Sequence, residues 1–345
     1  MKIVNFEIGK ARTFIIAELS GNHNQSFDLA VQTIKAMKKA GADAVKLQTY
    51  TADTITIDSD KEYFKVKQGT VWDGSTLYGL YQKAYTPWEW QPKLKKIAED
   101  LGMACFSSPF DNTAIDFLEK MDVPAYKIAS FEITDVGLIE YAASKKKPII
   151  ISTGVAEPAD IREAVKTCRQ AGNDQIILLK CTSSYPAAPE EMNLRTIPDM
   201  AKRFKCLAGL SDHTMGAESA IAAVALGAKV IEKHFILDRK LGGPDSSFSM
   251  EPAEFKQMVE SIRKTERALG CVTYELSAKS KKNREFSRSL FVVKDIKKGD
   301  LFSADNIRSI RPGFGLPPKF LKDVIGKRAM HSIARGEPLK RRDYS

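Results

Sequence analysis

Short apolar segments alternate with amphipathic segments from residue 14 to residue 235 of the chain. Each apolar segment is rich in Ile, Val, Leu or Phe and ends in polar residues, which is typical of buried parallel strands connected by helices. The predicted strands are Phe14–Leu19, Ala44–Gln48, Met103–Ser107, Tyr126–Ala129, Pro148–Ser152, Ile176–Lys180, Cys206–Leu210 and Val230–His234. Eight strand–helix units favour a closed (β/α)8 barrel of the TIM type over an open doubly wound sheet.

Glycines mark the ends of three predicted helices, at Gly41, Gly172 and Gly227, and a further helix is predicted over Pro252–Leu269. Glycine after the last apolar turn is the usual stop signal of a helix. No Gly-x-Gly-x-x-Gly follows the first strand and no Gly-x-x-x-x-Gly-Lys-Ser/Thr is present. The pattern therefore does not support dinucleotide or P-loop binding.

An aromatic insertion interrupts the alternation between residues 53 and 90. Its aromatic residues are Trp72, Tyr78, Tyr81, Tyr85, Trp88 and Trp90. A long insertion after the second strand is expected to cover the C-terminal mouth of the barrel as a lid or wall. The alternative is a packed cluster that contacts no ligand.

The last quarter of the chain has a different pattern. A polar, Lys- and Ser-rich stretch follows residue 270, and short apolar segments with turns then occupy about 60 residues, which indicates a small β-rich module. We therefore expect a barrel over residues 1–270, a linker over residues 271–285 and a small domain over residues 286–345. Such a short module buries only a small apolar core by itself, so we expect it to pack against the barrel or against another subunit.

Composition narrows the class of protein. The 345 residues contain 43% hydrophobic and 28% charged residues, which is a globular balance, and no apolar run approaches the roughly 20 residues that span a bilayer. Five cysteines without a Cys-x-x-Cys pair argue against a disulfide framework or a structural zinc site, and they suggest a reducing cytoplasm. Residues 276–345 hold 18 Lys and Arg against 7 Asp and Glu, within a net charge of +10 for the whole chain. Such a basic tail favours nucleic acid or an anionic small molecule as a ligand.

Polar residues are concentrated where the predicted strands end, which is the active-site face of such barrels. Lys46 and Gln48 are two residues apart on one strand and so share a face, and Lys127 lies on another strand. Two inward lysines each need an anion. Hydroxyl donors accompany them at Ser108, Ser130, Ser152 and Ser211. We expect a pocket for phosphate or carboxylate.

His213 and His234 lie at the ends of neighbouring predicted strands, so their imidazoles can meet at one point. Either histidine alone is better explained as a hydrogen-bonded core residue, but two that converge with open positions suit a catalytic divalent metal. His23 is expected to be a bystander or a supporting group. Glu18 could orient a hydroxyl or accept a proton, or it could form an ion pair with Lys46; spacing leaves both roles open.

Taken together, the strand-end segments resemble the sialic acid synthase family. The matching segments are Ile16–His23, Lys46–Tyr50, Ser107–Phe110, Tyr126–Ser130, Ser152–Gly154, Cys181–Pro186, Gly209–His213 and Glu232–Phe235. The tail, with Ser289, Asp295–Gly299 and Arg311–Gly313, resembles the antifreeze-like (SAF) domain of that family. Within the family, segments 46–51, 72–81 and 86–90 are most similar to members that make pseudaminic acid.

The resemblance implies a metal-dependent condensation of phosphoenolpyruvate with the 6-deoxy diacetamido hexose 2,4-diacetamido-2,4,6-trideoxy-L-altrose. It implies that Glu18, Lys46, Lys127, His213 and His234 are catalytic and that His213 and His234 bind Mn²⁺ or Mg²⁺. The substrate-binding residues it implies are Gln48, Ser108, Ser130, Ser152, Ser183, Tyr185, Ser211, Asp245 and Arg311. Arg311 would reach the sugar from the partner subunit in a domain-swapped homodimer.

Three alternatives stay open from the sequence. The first is a member of the same family that makes N-acetylneuraminate or legionaminate. N-acetylneuraminate synthases usually have His in place of the residue after Lys46 and Asn in place of Ser183, and these two differences do not exclude a legionaminate-type substrate. A Schiff-base aldolase would use Lys127 or Lys46 as an amine nucleophile without a metal. Nucleic acid binding through the basic tail lacks a recognisable reader motif, so we expect neither nucleic acid nor membrane as a partner.

Overall fold

The structure is a computed structural model that describes residues 1–10, 12–67, 69 and 72–345. An antiparallel pair, β1 (Lys2–Ile3) and β2 (Phe6–Glu7), precedes the barrel. The barrel strands are β3 (Phe14–Glu18), β4 (Ala44–Thr49), β5 (Ala104–Pro109), β6 (Tyr126–Ile128), β7 (Ile149–Ser152), β8 (Ile176–Cys181), β9 (Leu207–Asp212) and β10 (Val230–His234). Within the described residues these eight strands pair in parallel and in chain order, and β10 closes the barrel against β3. The predicted barrel is confirmed.

Helices return the chain from the end of one barrel strand to the start of the next. They are α1 (Phe27–Ala40), α2 (Ala52–Ile55), α3 (Leu77–Ala84), α4 (Gln91–Asp100), α5 (Asn112–Lys120), α6 (Val136–Ser144), α7 (Pro158–Gln170), α8 (Thr196–Phe204), α9 (Glu218–Ala225) and α10 (Pro252–Leu269). No helix in the described part of the chain is long and apolar enough to cross a bilayer.

Helix α1 shows how local sequence sets these boundaries. The Ser26 hydroxyl accepts a hydrogen bond from the backbone N–H of Leu29 and caps the N-terminus. Gly41 ends the helix with φ of 94°, a left-handed conformation that favours glycine. Between these ends, Ala30, Ile34 and Met37 are fully buried, at the spacing of one helical face. The helix thereby covers the outside of the barrel next to β3 and β4.

The barrel strands are buried on both faces, which explains why their sequences are continuous apolar runs. Every residue of β3 and of β7 is buried, because one side of each strand faces the surrounding helices and the other faces the barrel interior. The exceptions to apolar character are polar side chains near the C-terminal ends of the strands, such as Glu18, Lys46 and Lys127, which are also buried. Those side chains define the site described below.

The structure divides the chain into the units Met1–Gly270 and Cys271–Ser345. The second unit contains α11 (Ala278–Asn283), β11 (Ser289–Val292), β12 (Ile307–Ile310) and α12 (Leu321–Val324), and β11 pairs with β12 antiparallel. Its own apolar core includes Leu290, Phe302, Ile307 and Leu339. The stretch predicted as a linker, residues 271–285, contains α11, so part of it is helical.

Candidate active site

A cavity of about 510 Å³ opens at the C-terminal ends of the barrel strands. Ten of the residues singled out from the sequence line it: Lys46, Gln48, Lys127, Ser130, Ser152, Tyr185, Ser211, His213, His234 and Asp245. Alternation along the strands turns inward the members that lie on β4, β6, β7, β9 and β10. The other four, Ser130, Tyr185, His213 and Asp245, follow the ends of strands. Glu18 is fully buried behind Lys46, and Ser108 is buried beside Gln48 on the neighbouring strand.

A cluster of two lysines and two glutamates forms the floor of the cavity. The Nζ of Lys46 lies 3.0 Å from Oε2 of Glu18 and 2.9 Å from Oε1 of Glu232. The same Oε1 of Glu232 lies 3.6 Å from the Nζ of Lys127. Lys127 also donates a hydrogen bond of 2.7 Å to the hydroxyl of Ser152. The ion-pair alternative for Glu18 is therefore realised, and Glu232 is the carboxylate that the two lysines share.

Burial and charge set different protonation states in this cluster. Burial raises the pKa of Glu18 to about 7 despite the nearby Lys46 ammonium. Burial would also raise the pKa of Glu232, but the ammonium groups of Lys127 and Lys46 outweigh it and hold this pKa at about 2. Burial lowers the pKa of Lys127, whereas the two carboxylates outweigh burial at Lys46 and raise its pKa. With Glu232 ionised and Glu18 only partly ionised near neutral pH, the positive charge of the two lysines exceeds the negative charge of the carboxylates, and the cluster favours an anion.

Hydroxyl groups surround the lysines on one side of the cavity. Ser211 donates to Glu232 at 3.2 Å, and Ser130 accepts from the backbone N–H of Gly154 at 3.1 Å. The buried hydroxyls of Ser108 and Ser183 have no hydrogen-bond partner. A side chain at Gly154 would place its Cβ in a clash with the Ser183 oxygen and 2.8 Å from the Ser130 oxygen. Glycine at this position keeps a hydroxyl-lined space open.

The two histidines lie close to each other in the same cavity. Their ring centroids lie 5.3 Å apart. Nδ1 of His213 lies 2.9 Å from the carbonyl oxygen of Thr182, so it carries the proton and leaves Nε2 as a free ligand atom. Nδ1 of His234 is buried without a hydrogen-bond partner and lies 3.8 Å from Oδ2 of Asp245. Burial holds the pKa of His234 well below its usual value, which keeps this imidazole neutral.

This donor set fits a divalent cation. Neutral imidazole is the commonest protein ligand of divalent transition metals, and the buried Nδ1 of His234 has no hydrogen-bond partner. Among the residues that the structure describes, no group of three or more His, Cys, Asp or Glu side chains is arranged to hold a metal. Two histidines alone would leave most coordination positions for water and substrate, as a catalytic site requires.

Beyond the histidines the cavity becomes aromatic. The Tyr185 ring lies 4.5 Å from the His213 ring and 5.3 Å from the Trp72 ring, measured between centroids. The hydroxyl of Ser20 donates to the Asp245 carboxylate, and Nε2 of Gln48 donates to the same hydroxyl at 3.2 Å. These polar groups sit among apolar walls, and they can orient a ligand that carries both hydroxyl and methyl groups.

The aromatic insertion contributes to the cavity only in part. Trp72 and Tyr81 line it, whereas the indole N–H of Trp88 donates to the carbonyl of Tyr50 at 3.1 Å. Trp90 packs edge to face against His23 at 5.7 Å. Residues 68, 70 and 71 of this insertion lie outside the described residues. The insertion is therefore partly a wall of the cavity and partly a packed aromatic cluster.

His23 supports the loop after β3 and does not line the cavity. Its Nδ1 accepts from the backbone N–H of Gln25 at 3.2 Å, and its Nε2 donates to the hydroxyl of Thr86 at 3.1 Å. Burial lowers its pKa to about 4, so the ring is neutral. Both nitrogens are used, which leaves none for a metal or a substrate.

Two acidic residues of the cavity, Glu132 and Glu232, have no role among the sequence-based expectations. Glu132 lines the cavity on the short 3-10 helix Ser130–Glu132, its Oε2 is buried without a partner, and burial raises its pKa to about 7. No strand or helix periodicity marks such a short helix. Glu232 stands two residues before His234 on the same strand, and this alternation is the signal that could have assigned it.

Arg311 belongs to the second unit, where it is exposed at the end of β12. It is the single member of the predicted site that lies outside the Met1–Gly270 unit, within the residues described.

Comparison with known proteins identifies two matching family models. The NeuB family model matches residues 33–274, and the SAF domain model matches residues 287–344. The chain is 48% identical over 344 residues to a pseudaminic acid synthase of Campylobacter jejuni, with 100% of both chains covered. It is 47% identical over 330 residues to a pseudaminic acid synthase of Helicobacter pylori, covering 95% of this chain and 97% of that one.

A solved structure of similar fold is the N-acetylneuraminic acid (sialic acid) synthetase of Leptospira borgpetersenii. It aligns with a TM-score of 0.74 and 31% identity, covering 83% of this chain and 95% of that one.

Proposed function

The chain belongs to the NeuB family and carries a SAF domain, and from this premise we propose that it catalyses the reaction of a pseudaminic acid synthase. The reaction condenses phosphoenolpyruvate with 2,4-diacetamido-2,4,6-trideoxy-L-altrose and releases pseudaminic acid and phosphate, which makes the enzyme a C–C bond-forming transferase. The observation that carries the proposal is one cavity in which a cationic lysine and serine cluster adjoins two ligand-ready imidazoles. All five cysteines are free thiols, which supports a reducing cytoplasmic location.

Phosphoenolpyruvate is assigned to the lysine side of the cavity. Its phosphate and carboxylate together carry about three negative charges, whereas Lys46, Lys127 and Glu232 leave a net charge of about +1. The lysine cluster therefore attracts the anion but does not neutralise it alone. The partnerless hydroxyls of Ser108 and Ser183 supply donors that a phosphate or carboxylate would satisfy. The remaining serines of the proposed anion site are Ser130, Ser152 and Ser211.

His213 and His234 would hold Mn²⁺ or Mg²⁺. When bound, such a cation supplies a Lewis acid for the aldehyde oxygen of the open-chain sugar. The contribution of the chain itself is to place both imidazoles in the cavity: the Thr182 carbonyl fixes the His213 tautomer, and burial keeps His234 unprotonated.

The bond changes require three proton transfers. C3 of phosphoenolpyruvate attacks the aldehyde carbon, the aldehyde oxygen gains a proton and becomes a hydroxyl, and C2 becomes cationic. Water adds to C2 and loses a proton, and the resulting C2 hydroxyl then loses its proton as the C–O bond to phosphate breaks, which leaves a ketone and a phosphate that carries that proton. We assign the proton transfers to Glu18 and Glu132, whose pKa values of about 7 allow each to hold or release a proton near neutral pH. Lys46 and Lys127 position the anion and offset its charge.

The sugar is assigned to the aromatic side, where Gln48, Tyr185 and Asp245 provide polar contacts. Apolar residues also line the cavity there, namely Ile55, Val66, Leu77 and Leu80 of the inserted segment. A 6-deoxy sugar with two acetamido groups presents three methyl groups, whereas N-acetylmannosamine presents one. The apolar wall therefore supports the 6-deoxy diacetamido hexose over the neuraminate precursor.

We also propose a domain-swapped homodimer in which Arg311 of the partner subunit contacts the sugar. Two side chains that line the cavity, Tyr63 and Phe131, are 90% and 63% exposed, and a covering domain would bury them. In the second unit Val272 and Tyr274 are 94% and 97% exposed, which also supports a further interface.

Mass analysis of products from phosphoenolpyruvate and a panel of hexoses tests the proposal. The panel contains the diacetamido altrose, the diacetamido mannose that leads to legionaminate, and N-acetylmannosamine. We expect the altrose derivative to give a nine-carbon acid with the highest kcat/KM. Turnover of another sugar at a higher kcat/KM would contradict the substrate assignment, and no turnover of any sugar would contradict the reaction itself.

A further inference from the structure

A buried ion pair lies directly behind the two histidines, on the outer face of the barrel wall. Strands β9 and β10 pair in register with Lys233 opposite Asp212. Because side chains alternate along a strand, Lys233 points outward between the inward Glu232 and His234, and Asp212 points outward next to His213. The Lys233 Nζ lies 2.7 Å from Oδ2 of Asp212, and both side chains are fully buried.

The same ion pair also holds the residue after His213. Lys233 donates a second hydrogen bond of 2.6 Å to the carbonyl oxygen of Thr214. The other carboxylate oxygen of Asp212 accepts from the backbone N–H of Thr214 at 2.9 Å and from its hydroxyl at 2.8 Å. Lys233, on the same strand as His234, therefore holds the residues on both sides of His213.

We propose that Lys233 and Asp212 are positioning residues that set the distance and orientation of the His213 imidazole relative to the His234 imidazole. A buried charge pair of this kind is weak evidence for stability, since two apolar residues could replace it. Two apolar residues would not provide the hydrogen bonds that join strand β10 to the end of β9 and the residues after it. Partners that orient metal-binding side chains typically change metal affinity by about 10- to 100-fold when they are removed.

This inference rests on the proposed metal role of His213 and His234. The test distinguishes failure of the positioning role from failure of the metal role. The double variant Lys233→Met, Asp212→Asn removes the tie without leaving an unpaired buried charge, and asparagine keeps an acceptor for the Thr214 N–H. The matched control is Arg263→Met, Asp43→Asn, which removes an ion pair of 3.0 Å and keeps an acceptor for the backbone N–H of Ile15. Asp43 directly precedes β4, at the opposite end of the barrel from the cavity.

The readout is Mn²⁺ binding by the metal-stripped full-length protein, followed by electron paramagnetic resonance of free Mn²⁺. We expect the Kd for Mn²⁺ to rise at least tenfold in the Lys233, Asp212 variant and to stay within twofold of wild type in the control. An unchanged Kd in the first variant, or an equal rise in both, would overturn the positioning role. No Mn²⁺ binding by the wild-type protein would remove the metal role itself and this inference with it.

A milder variant covers the case in which the double variant does not fold. Thr214→Val removes one hydroxyl hydrogen bond to Asp212 and keeps the shape of the side chain. We expect about a threefold rise in the Kd for Mn²⁺, and Thr214→Ser, which restores the hydroxyl, should recover the wild-type value. A Kd that is unchanged in Thr214→Val, or that Thr214→Ser fails to recover, would count against the proposal.

Discussion

Replacing Lys127 by methionine isolates the electrostatic part of the proposed anion site. Methionine keeps the length of the aliphatic stem and removes the ammonium, which is buried and lies 3.6 Å from Glu232 and 2.7 Å from the Ser152 hydroxyl. The Glu232 carboxylate is not orphaned, because the Lys46 Nζ remains 2.9 Å from the same oxygen. We therefore expect the barrel to fold and its thermal midpoint to change by only a few degrees.

The loss of activity follows from the charge removed. A unit charge pair at about 4 Å is worth about 4 kcal/mol at an effective dielectric near 20. Because Lys46 stays in place and can shift toward the anion, we take roughly 3 kcal/mol of this as lost in the transition state, which is roughly 100-fold in kcat/KM. The reduction should fall on phosphoenolpyruvate, since the lysine contacts no residue assigned to the sugar.

The assay is phosphate release at varied phosphoenolpyruvate with the sugar saturating. The control is Lys180→Met, on the next strand after Ser152, because Lys180 points its Nζ to the Cys181 carbonyl and does not line the cavity. It should keep kcat/KM within about twofold. A Lys127→Met enzyme within threefold of wild type would refute the assignment, and borohydride trapping of a substrate on Lys127 would instead favour the Schiff-base aldolase.

Four further measurements test the metal, the anion site, the Glu132 carboxyl and the swapped dimer. Chelation by EDTA should abolish activity and added Mn²⁺ should restore it; activity that survives complete chelation would contradict the metal role. Gly154→Ala should raise the KM for phosphoenolpyruvate at least roughly tenfold by displacing the Ser130 and Ser183 hydroxyls, whereas Gly137→Ala in α6, where the nearest atom to an added Cβ is 3.6 Å away, should leave it unchanged. Glu132 has a folded pKa of about 7 against 4.5 for the free side chain, so the folded state binds the extra proton and stability falls as pH rises through that window. Glu132→Gln should therefore gain roughly 2–3 kcal/mol over wild type in urea unfolding between about pH 5 and about pH 8.5, and a pH-independent difference would disprove the raised pKa. Arg311→Ala alone should lose most activity, as Lys127→Met does. Mixing the two weakly active proteins under subunit exchange should recover about a quarter of wild-type activity if each site combines a barrel with the tail of the partner subunit, and no recovery would contradict the swapped dimer.

Much of the fold and the placement of the cavity residues follows from two periodicities. Alternation along a strand put Lys46 and Gln48 on one face, and the structure has both in the cavity. Strand ends shifted by one or two residues, as at β5, which runs from Ala104 to Pro109 and not from Met103 to Ser107. Such shifts arise because backbone pairing with neighbouring strands, which sequence does not display, decides the last residue of a strand.

Other features depend on tertiary contacts that have no periodic signal. Glu132 lies on a single turn of 3-10 helix, so nothing in its spacing marks it as a cavity residue. The division of the aromatic insertion into Trp72, which lines the cavity, and Trp88, which packs on Phe117, depends on how the chain folds back. The Glu18 pKa depends on three charged neighbours from different strands. Local sequence carries none of this information.

The fate of the bridging oxygen of phosphoenolpyruvate shows whether the enzyme breaks the C–O bond at C2 or the P–O bond. Phosphoenolpyruvate labelled with ¹⁸O between C2 and phosphorus is incubated with the enzyme, Mn²⁺ and the diacetamido altrose, and both products are analysed by mass spectrometry. We expect an unlabelled nine-carbon keto acid and labelled phosphate, because water adds at C2 and the C–O bond breaks. A labelled keto acid, or phosphate release without a nine-carbon product, would contradict it.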